Sequence, residues 1–172
     1  MNTKVFFLAI IGLALFSCSE NEAIDKVNVT GELSVVVTLT PETKDVLTAF
    51  TGNDIKSFNL ATREIVFVNP TTADNLRTRI TGLFATMTFY LNERPLLDSV
   101  CVYSPLASFY YNDLTFVSID SKCYLLDGFP ASDNLGASKE KAQRLREENA
   151  QARKAEWDTF IKYLRDTGKL VE

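Results

Sequence analysis

Six acids, Glu64, Glu93, Asp98, Asp113, Asp120 and Asp127, are the residues of this chain whose type best suits them to chemistry. Two carboxyl groups at the right separation hydrolyse a glycosidic bond without other side chains. The spacing selects no pair among the six, and most fall where turns or strand ends are expected, ordinary positions for solvated acids. The chain has no histidine at all. That absence removes Ser-His-Asp and Cys-His nucleophilic catalysis, histidine-ligated zinc and histidine acid–base work. Its seven glycines form neither G-x-G-x-x-G nor a Walker A loop, and no G-x-S-x-G elbow occurs. Asp127, Asp133 and Asn134 offer oxygens to calcium, but their spacing misses the EF-hand pattern and reads as turn chemistry. The expectation is a non-enzyme without cofactor or metal, a small carboxylate-dependent hydrolase being the alternative.

Binding chemistry is the other use of such side chains. Phe109-Tyr110-Tyr111, with Tyr90, Tyr103 and Tyr124, can build an aromatic surface for a glycan or a protein partner. Tyr110 and Tyr111 are the pair singled out, against the reading that strand aromatics face the core about half the time. Asp98-Ser99-Val100 resembles the acceptor triplet of the general O-glycosylation system of Bacteroidota. A site inside a strand would hinder modification at Ser99.

The first 18 residues carry an address. One cation, Lys4, precedes an unbroken apolar run over residues 5–16, followed by Ser17 and Cys18. This is the layout of an export signal. A bilayer span needs about 20 apolar residues, so the run is too short to cross. Leu15-Phe16-Ser17-Cys18 resembles the bacterial lipobox, with bulky Phe16 a less usual occupant. The resemblance implies a diacylglyceryl thioether on Cys18, cleavage before it and acylation of the new amino terminus. Two or more acyl chains anchor stably, each buried CH₂ contributing about 0.8 kcal/mol. A plain secretory signal with an incidental cysteine is the alternative. Glu20, Glu22 and Asp25 follow. Acidic residues there resemble the signal that carries Bacteroidota lipoproteins to the cell surface, and they also suit a solvated tether.

Charge and size bound the rest. The chain has 18 basic and 22 acidic residues, a net of −4. Residues 137–172 hold 9 basic and 7 acidic side chains, leaving residues 18–136 with 8 against 15. An acidic body without a basic stripe argues against nucleic acid, whose binding depends on neutralising phosphates. With 12 Phe, 6 Tyr and one Trp, the chain is expected to form one domain core. The expected organisation is a signal over residues 1–17, a tether over 18–30 and one domain over 31–172.

The elements that must position these residues follow from periodicity. Leu33, Val35, Val37 and Leu39 alternate with Ser34, Val36 and Thr38, which predicts a strand. Thr40-Pro41-Glu42, then Val46, Leu47 and Phe50 before Gly52, predict a short helix. Residues 55–60 and 64–68 read as a hairpin. Residues 72–83 fit helix or strand, helix being preferred. Residues 86–91 and 97–103 read as a second hairpin around Asn92-Glu93-Arg94-Pro95, and Ser104-Pro105 caps a helical turn running to Tyr111. Residues 114–119 and 123–126 form a third hairpin around Asp120-Ser121-Lys122. Residues 138–167 lack Gly and Pro and end before Gly168, so a long helix is expected, its apolar face concentrated at Trp157, Phe160, Ile161 and Leu164. In a simple meander a third strand separates Cys101 from Cys123 by roughly 9 to 10 Å at about 4.8 Å per strand. A disulfide needs Cα atoms within about 7 Å, so two free thiols are favoured over a bridge.

Taken together, the lipobox at Cys18, residues 58–67, the strand at 88–92, Tyr124-Leu125-Leu126-Asp127-Gly128-Phe129-Pro130 and the charged helix around Trp157 resemble a group of small Bacteroidota envelope lipoproteins. The resemblance implies location and fold class, and no catalytic or binding residue. The expected fold is α+β: an antiparallel sheet of about six or seven strands with a long C-terminal helix packed on it, a β-sandwich with an appended helix being second. The expected role is a lipid-anchored outer-membrane protein, at the cell surface rather than the periplasmic face, that acts as a non-enzymatic interaction or accessory protein. A glycan-binding surface protein is the other binding reading.

Overall fold

The computed structural model describes residues 31–39, 46–80 and 83–172. The signal, Cys18 and the tether lie outside the described residues, as does the Thr40-Pro41-Glu42 helix start.

Strand β1, Leu33–Thr38, buries Leu33, Val35 and Val37 completely. The next segment corrects an expectation: Val46–Thr51 is a strand, β2, not a helix. It pairs antiparallel with β1 through Val37↔Leu47 and Val35↔Phe50. Val46, Thr48 and Thr51 are β-branched, and the β1 ladder supplies hydrogen bonds that an isolated helical turn has to nucleate alone. A 3₁₀ turn, Gly52–Asp54, follows; Asp54 Oδ2 accepts from the Thr51 N–H at 2.7 Å and its hydroxyl at 2.9 Å.

Strands β3 (Ile55–Asn59) and β4 (Glu64–Phe67) form the expected hairpin, its corner closed by Arg63 at φ 62° and by Thr62 N–H donating to Asn59 Oδ1. Helix α1, Thr72–Arg79, ends sooner than expected and leaves Leu83 outside. Strands β5 (Thr86–Leu91) and β6 (Arg94–Val102) meet at Asn92-Glu93, and β7 (Thr115–Ile119) and β8 (Lys122–Leu126) at Asp120-Ser121. All four turn residues have φ between 50° and 65°. These are two-residue turns whose left-handed backbone matches the twist of the flanking strands. Each is tighter than expected, so Arg94, Pro95 and Lys122 belong to strands. No helical turn forms between Ser104 and Tyr111; that stretch is irregular, and Tyr111 makes an isolated bridge to Phe129.

The long terminal helix is two helices, α2 (Lys139–Ala152) and α3 (Lys154–Asp166), broken at Arg153. After Gly168 at φ 69°, Leu170–Val171 adds β9, too short for periodicity to reveal.

All nine strands of the described residues join one sheet in the order β2-β1-β5-β6-β7-β8-β4-β3-β9. It is larger than the expected six or seven strands and mixed, because β6/β7 and β3/β9 are parallel. The fold is α+β. Strands β2 and β3 lie near opposite ends of this order, yet only the Gly52–Asp54 turn separates them in the chain, so the sheet has to curl into a half-barrel. Phe50 on β2 accordingly meets Phe67 on β4 at 5.1 Å and Phe89 on β5 at 6.0 Å between ring centroids. Helix α3 fills the interior with Phe160, Ile161 and Leu164 of the face expected of it, joined by Tyr163, while Trp157 is only partly buried against that core.

The curl brings Gly52 hard against α3: a Cβ there would lie 2.2 Å from Tyr163 Oη and 3.1 Å from Leu33 Cβ. Gly52→Ala is therefore expected to cost about 1–3 kcal/mol by overpacking. In a Tyr163→Phe background, where the obstructing hydroxyl is gone, the penalty should shrink. Urea midpoints of the four variants check this, and an equal loss in both backgrounds contradicts it.

Candidate binding cleft at the end of the sheet

Strand β6 runs parallel to β7 for only two residue pairs, Cys101↔Thr115 and Val102↔Phe116. The ladder is visible in two bonds, Cys101 N–H to Leu114 O at 2.9 Å and Tyr103 N–H to Phe116 O at 2.9 Å. The next donor in that alternation would be residue 105, which is proline and has no N–H. Here the chain leaves the sheet. Ser104 turns inward, its N–H donating to Tyr111 Oη at 3.1 Å, and Leu106 N–H closes back on Ser104 Oγ.

Beyond that departure a cleft of about 400 Å³ lies between β7 and α1. Its walls are apolar: Leu76 from α1, Ile80 directly after that helix, Val102 from β6, Phe116 from β7, and Leu106 from the loop after β6. The mouth carries one cation and one anion, Arg77 and Asp120, so it favours neither sign of charge. Clefts of this size and lining hold small apolar groups.

At this end of the sheet the surface carries several exposed apolar side chains. Leu106 is 79 % exposed, Phe84 61 %, Tyr110 49 % and Phe109 44 %, with Leu83 beside them. Phe84 and Phe109 stack with nearly parallel planes, 4° apart, at 6.1 Å. Thr86, the first residue of β5, pairs with Cys101 near the end of β6, which puts residues 83–84 and the 103–111 loop at the same end of the sheet. Contiguous exposed apolar surface of this kind marks contact sites.

The sequence-derived pair is divided by the structure. Tyr110 is exposed, whereas Tyr111 is buried, its hydroxyl holding Ser104 and burial pushing its pKa upward. The flat stacked pair on the surface is Phe84 with Phe109. Phe84, Pro105 and Leu106 were not singled out from sequence. The available signal was the proline directly after a run of β-formers, with aromatics following.

A second groove, about 370 Å³, lies between β6 and the α2/α3 break and includes Asp98, Asp113, Glu156 and Arg153 in its walls. Asp98 Oδ1 already accepts from Thr88 Oγ1 and Ser99 N–H, each at 2.8 Å. Asp113 is paired with Arg153 and accepts from Leu114 N–H. Asp127 is shared by two guanidiniums, Arg153 at 2.6 Å and Arg63 at 2.9 Å. Arg63 in turn lies over the Trp157 ring at 4.2 Å. Asp113 is half exposed. The cluster ties the helix break to the sheet. Glu64 pairs with Lys122, Asp133 with Lys139, and among the described residues no three metal-ligating groups converge.

Ser99 is exposed at φ 54°, where the β5/β6 register shifts. The bulge turns it outward with Asp98, so the strand does not bury it. Cys101 and Cys123 are free thiols on strands separated by β7; burial raises both, Cys123 to about 11.

Comparison of the chain with protein-family models, with curated proteins and with solved structures returns no match.

Proposed function

We propose that this chain is a lipid-anchored protein of the bacterial outer membrane, displayed at the cell surface, that binds a partner and catalyses nothing. The observation that carries the binding part is the exposure of Leu83, Phe84, Leu106, Phe109 and Tyr110 at one end of the sheet, where Leu106 also lines an apolar cleft. The anchor rests on the export-signal layout and the lipobox resemblance ending at Cys18.

The two parts agree in geometry. The chain enters β1 beside the β5/β6 hairpin tip, where Asn92 N–H donates to Glu32 O at 3.1 Å and Leu33 pairs with Leu91. The apolar rim is at the other end of β5, roughly 17 Å away at about 3.3 Å per residue. A tether arriving through residue 30 thus holds the domain by the end opposite the rim, leaving the rim to face outward. A glycan platform of Tyr110 with Tyr111 has less support, since only Tyr110 is exposed.

The anchor is tested by growing cells with a clickable fatty acid. Label is expected on the wild-type chain and absent from Cys18→Ala, which should leave the membrane fraction. Equal labelling of both chains, or wild type in the cytosol with Met1 intact, sinks the anchor.

A further inference from the structure

The floor of the cleft is partly a strand edge, and that says what fits. Leu114 and Phe116 turn their main-chain groups toward β6, as their bonds to Cys101 and Tyr103 show. Alternation along a strand sends the N–H and C=O of Ser118 the same way, while Thr115, Val117 and Ile119 point to β8. Beside Ser118 the neighbour is no longer β6 but the cleft, because Pro105 ends the ladder. Ser118 lines the cleft, so this alternation turns its N–H and C=O toward the cleft rather than toward a neighbouring strand, while its hydroxyl donates to Ala73 O at 3.4 Å. An acyl chain or other hydrocarbon in the cleft would strip water from both groups and return nothing, which is costly. A peptide main chain satisfies both at once.

We infer that the cleft takes an extended peptide segment of a protein partner as a short added strand beside Ser118, with one of its apolar side chains seated between Leu76, Ile80 and Phe116. This is strand addition at an open edge, in which the main-chain bonds hold the segment and the pocket selects its side chain. The inference rests on the proposed reading of this end of the sheet as the contact surface, and it adds the chemistry of the occupant.

The test uses the full chain in phospholipid nanodiscs and a randomised linear heptapeptide library. Peptides enriched on the wild type are titrated against wild type and against Leu106→Arg, a substitution at an exposed rim residue that should leave the thermal midpoint unchanged. Enriched peptides are expected to alternate apolar residues, to lose about tenfold or more in affinity to Leu106→Arg, and to slow exchange of the Ser118 amide proton by a similar factor. N-methylation of one peptide amide should weaken binding about tenfold, the worth of one hydrogen bond, while methylation of either neighbouring amide should not. No enrichment over Leu106→Arg overturns the inference. So does binding that leaves Ser118 exchange unchanged, or sodium palmitate displacing the peptide without protecting Ser118. If a partner in cells touches the rim but no peptide binds, the contact surface stands and the peptide inference falls. If the rim touches no partner, the proposed reading itself fails.

Discussion

Phe160→Ala is expected to lower the unfolding free energy by about 3–5 kcal/mol. Phe160 is wholly buried on α3, with ring centroids 5.8 Å from Phe58, 5.6 Å from Phe89 and 5.6 Å from Trp157. Phe58 is on β3 and Phe89 on β5, near opposite sides of the curled sheet, so one ring joins both walls of the half-barrel to the helix. Alanine would leave a space these rigid neighbours cannot close, and lost contacts add to lost burial. A domain of this size has about 5–15 kcal/mol in total, so the variant should be partly unfolded in mild urea. Phe160→Leu, which keeps most of the volume, should lose far less. Urea unfolding followed by Trp157 fluorescence measures both; a loss below about 1 kcal/mol for the alanine variant would show that α3 is not the centre of the core.

Arg153→Ala should cost about 1–3 kcal/mol, with the effect concentrated in one helix. The Arg153 side chain is only 15 % exposed and bridges Asp113 and Asp127, which are 51 % and 37 % exposed. The exposure of the two acids keeps the figure below that of a fully buried pair. Helix α2 buries only Ala142 and is otherwise held by polar contacts, Arg146 to Tyr111 O at 3.0 Å and Asn149 to Asn112 O at 2.8 Å. Without Arg153, amide exchange over residues 139–152 should accelerate while α3, fixed by its apolar face, changes little. Arg153→Lys should recover only part, because an ammonium cannot reach two carboxylates with a planar fork. Uniform acceleration through both helices would show that α2 and α3 open as one unit.

The chemistry of these residues also explains what could be read in advance. β1, the β3/β4 hairpin and the apolar face of α3 were legible because their burial follows a strict period, as Leu33, Val35 and Val37 illustrate. β2 was misread because Val46, Leu47 and Phe50 fit a helical face, and only its partner β1 decides otherwise. The break at Arg153 carries no Gly or Pro; it coincides with ion pairs to residues 26 and 40 positions away, which no local pattern contains. Parallel pairing of β6 with β7 is equally non-local. At the cleft, Pro105 and the aromatics after it were visible, but their meaning depends on Ser118 across the sheet and on Phe84 beneath Phe109. Sequence could offer Tyr110 and Tyr111 as neighbours; only the fold decides that one faces water and the other the core.

The most direct test of the account is photo-crosslinking in living cells, with a photoreactive amino acid in place of Phe109 at the rim or of Glu93 at the opposite hairpin tip. Irradiation is expected to give a discrete protein adduct from position 109 and none from position 93. Adducts from position 93 alone, equal adducts from both, or only lipid adducts from position 109 would contradict an outward-facing contact surface at this end of the sheet.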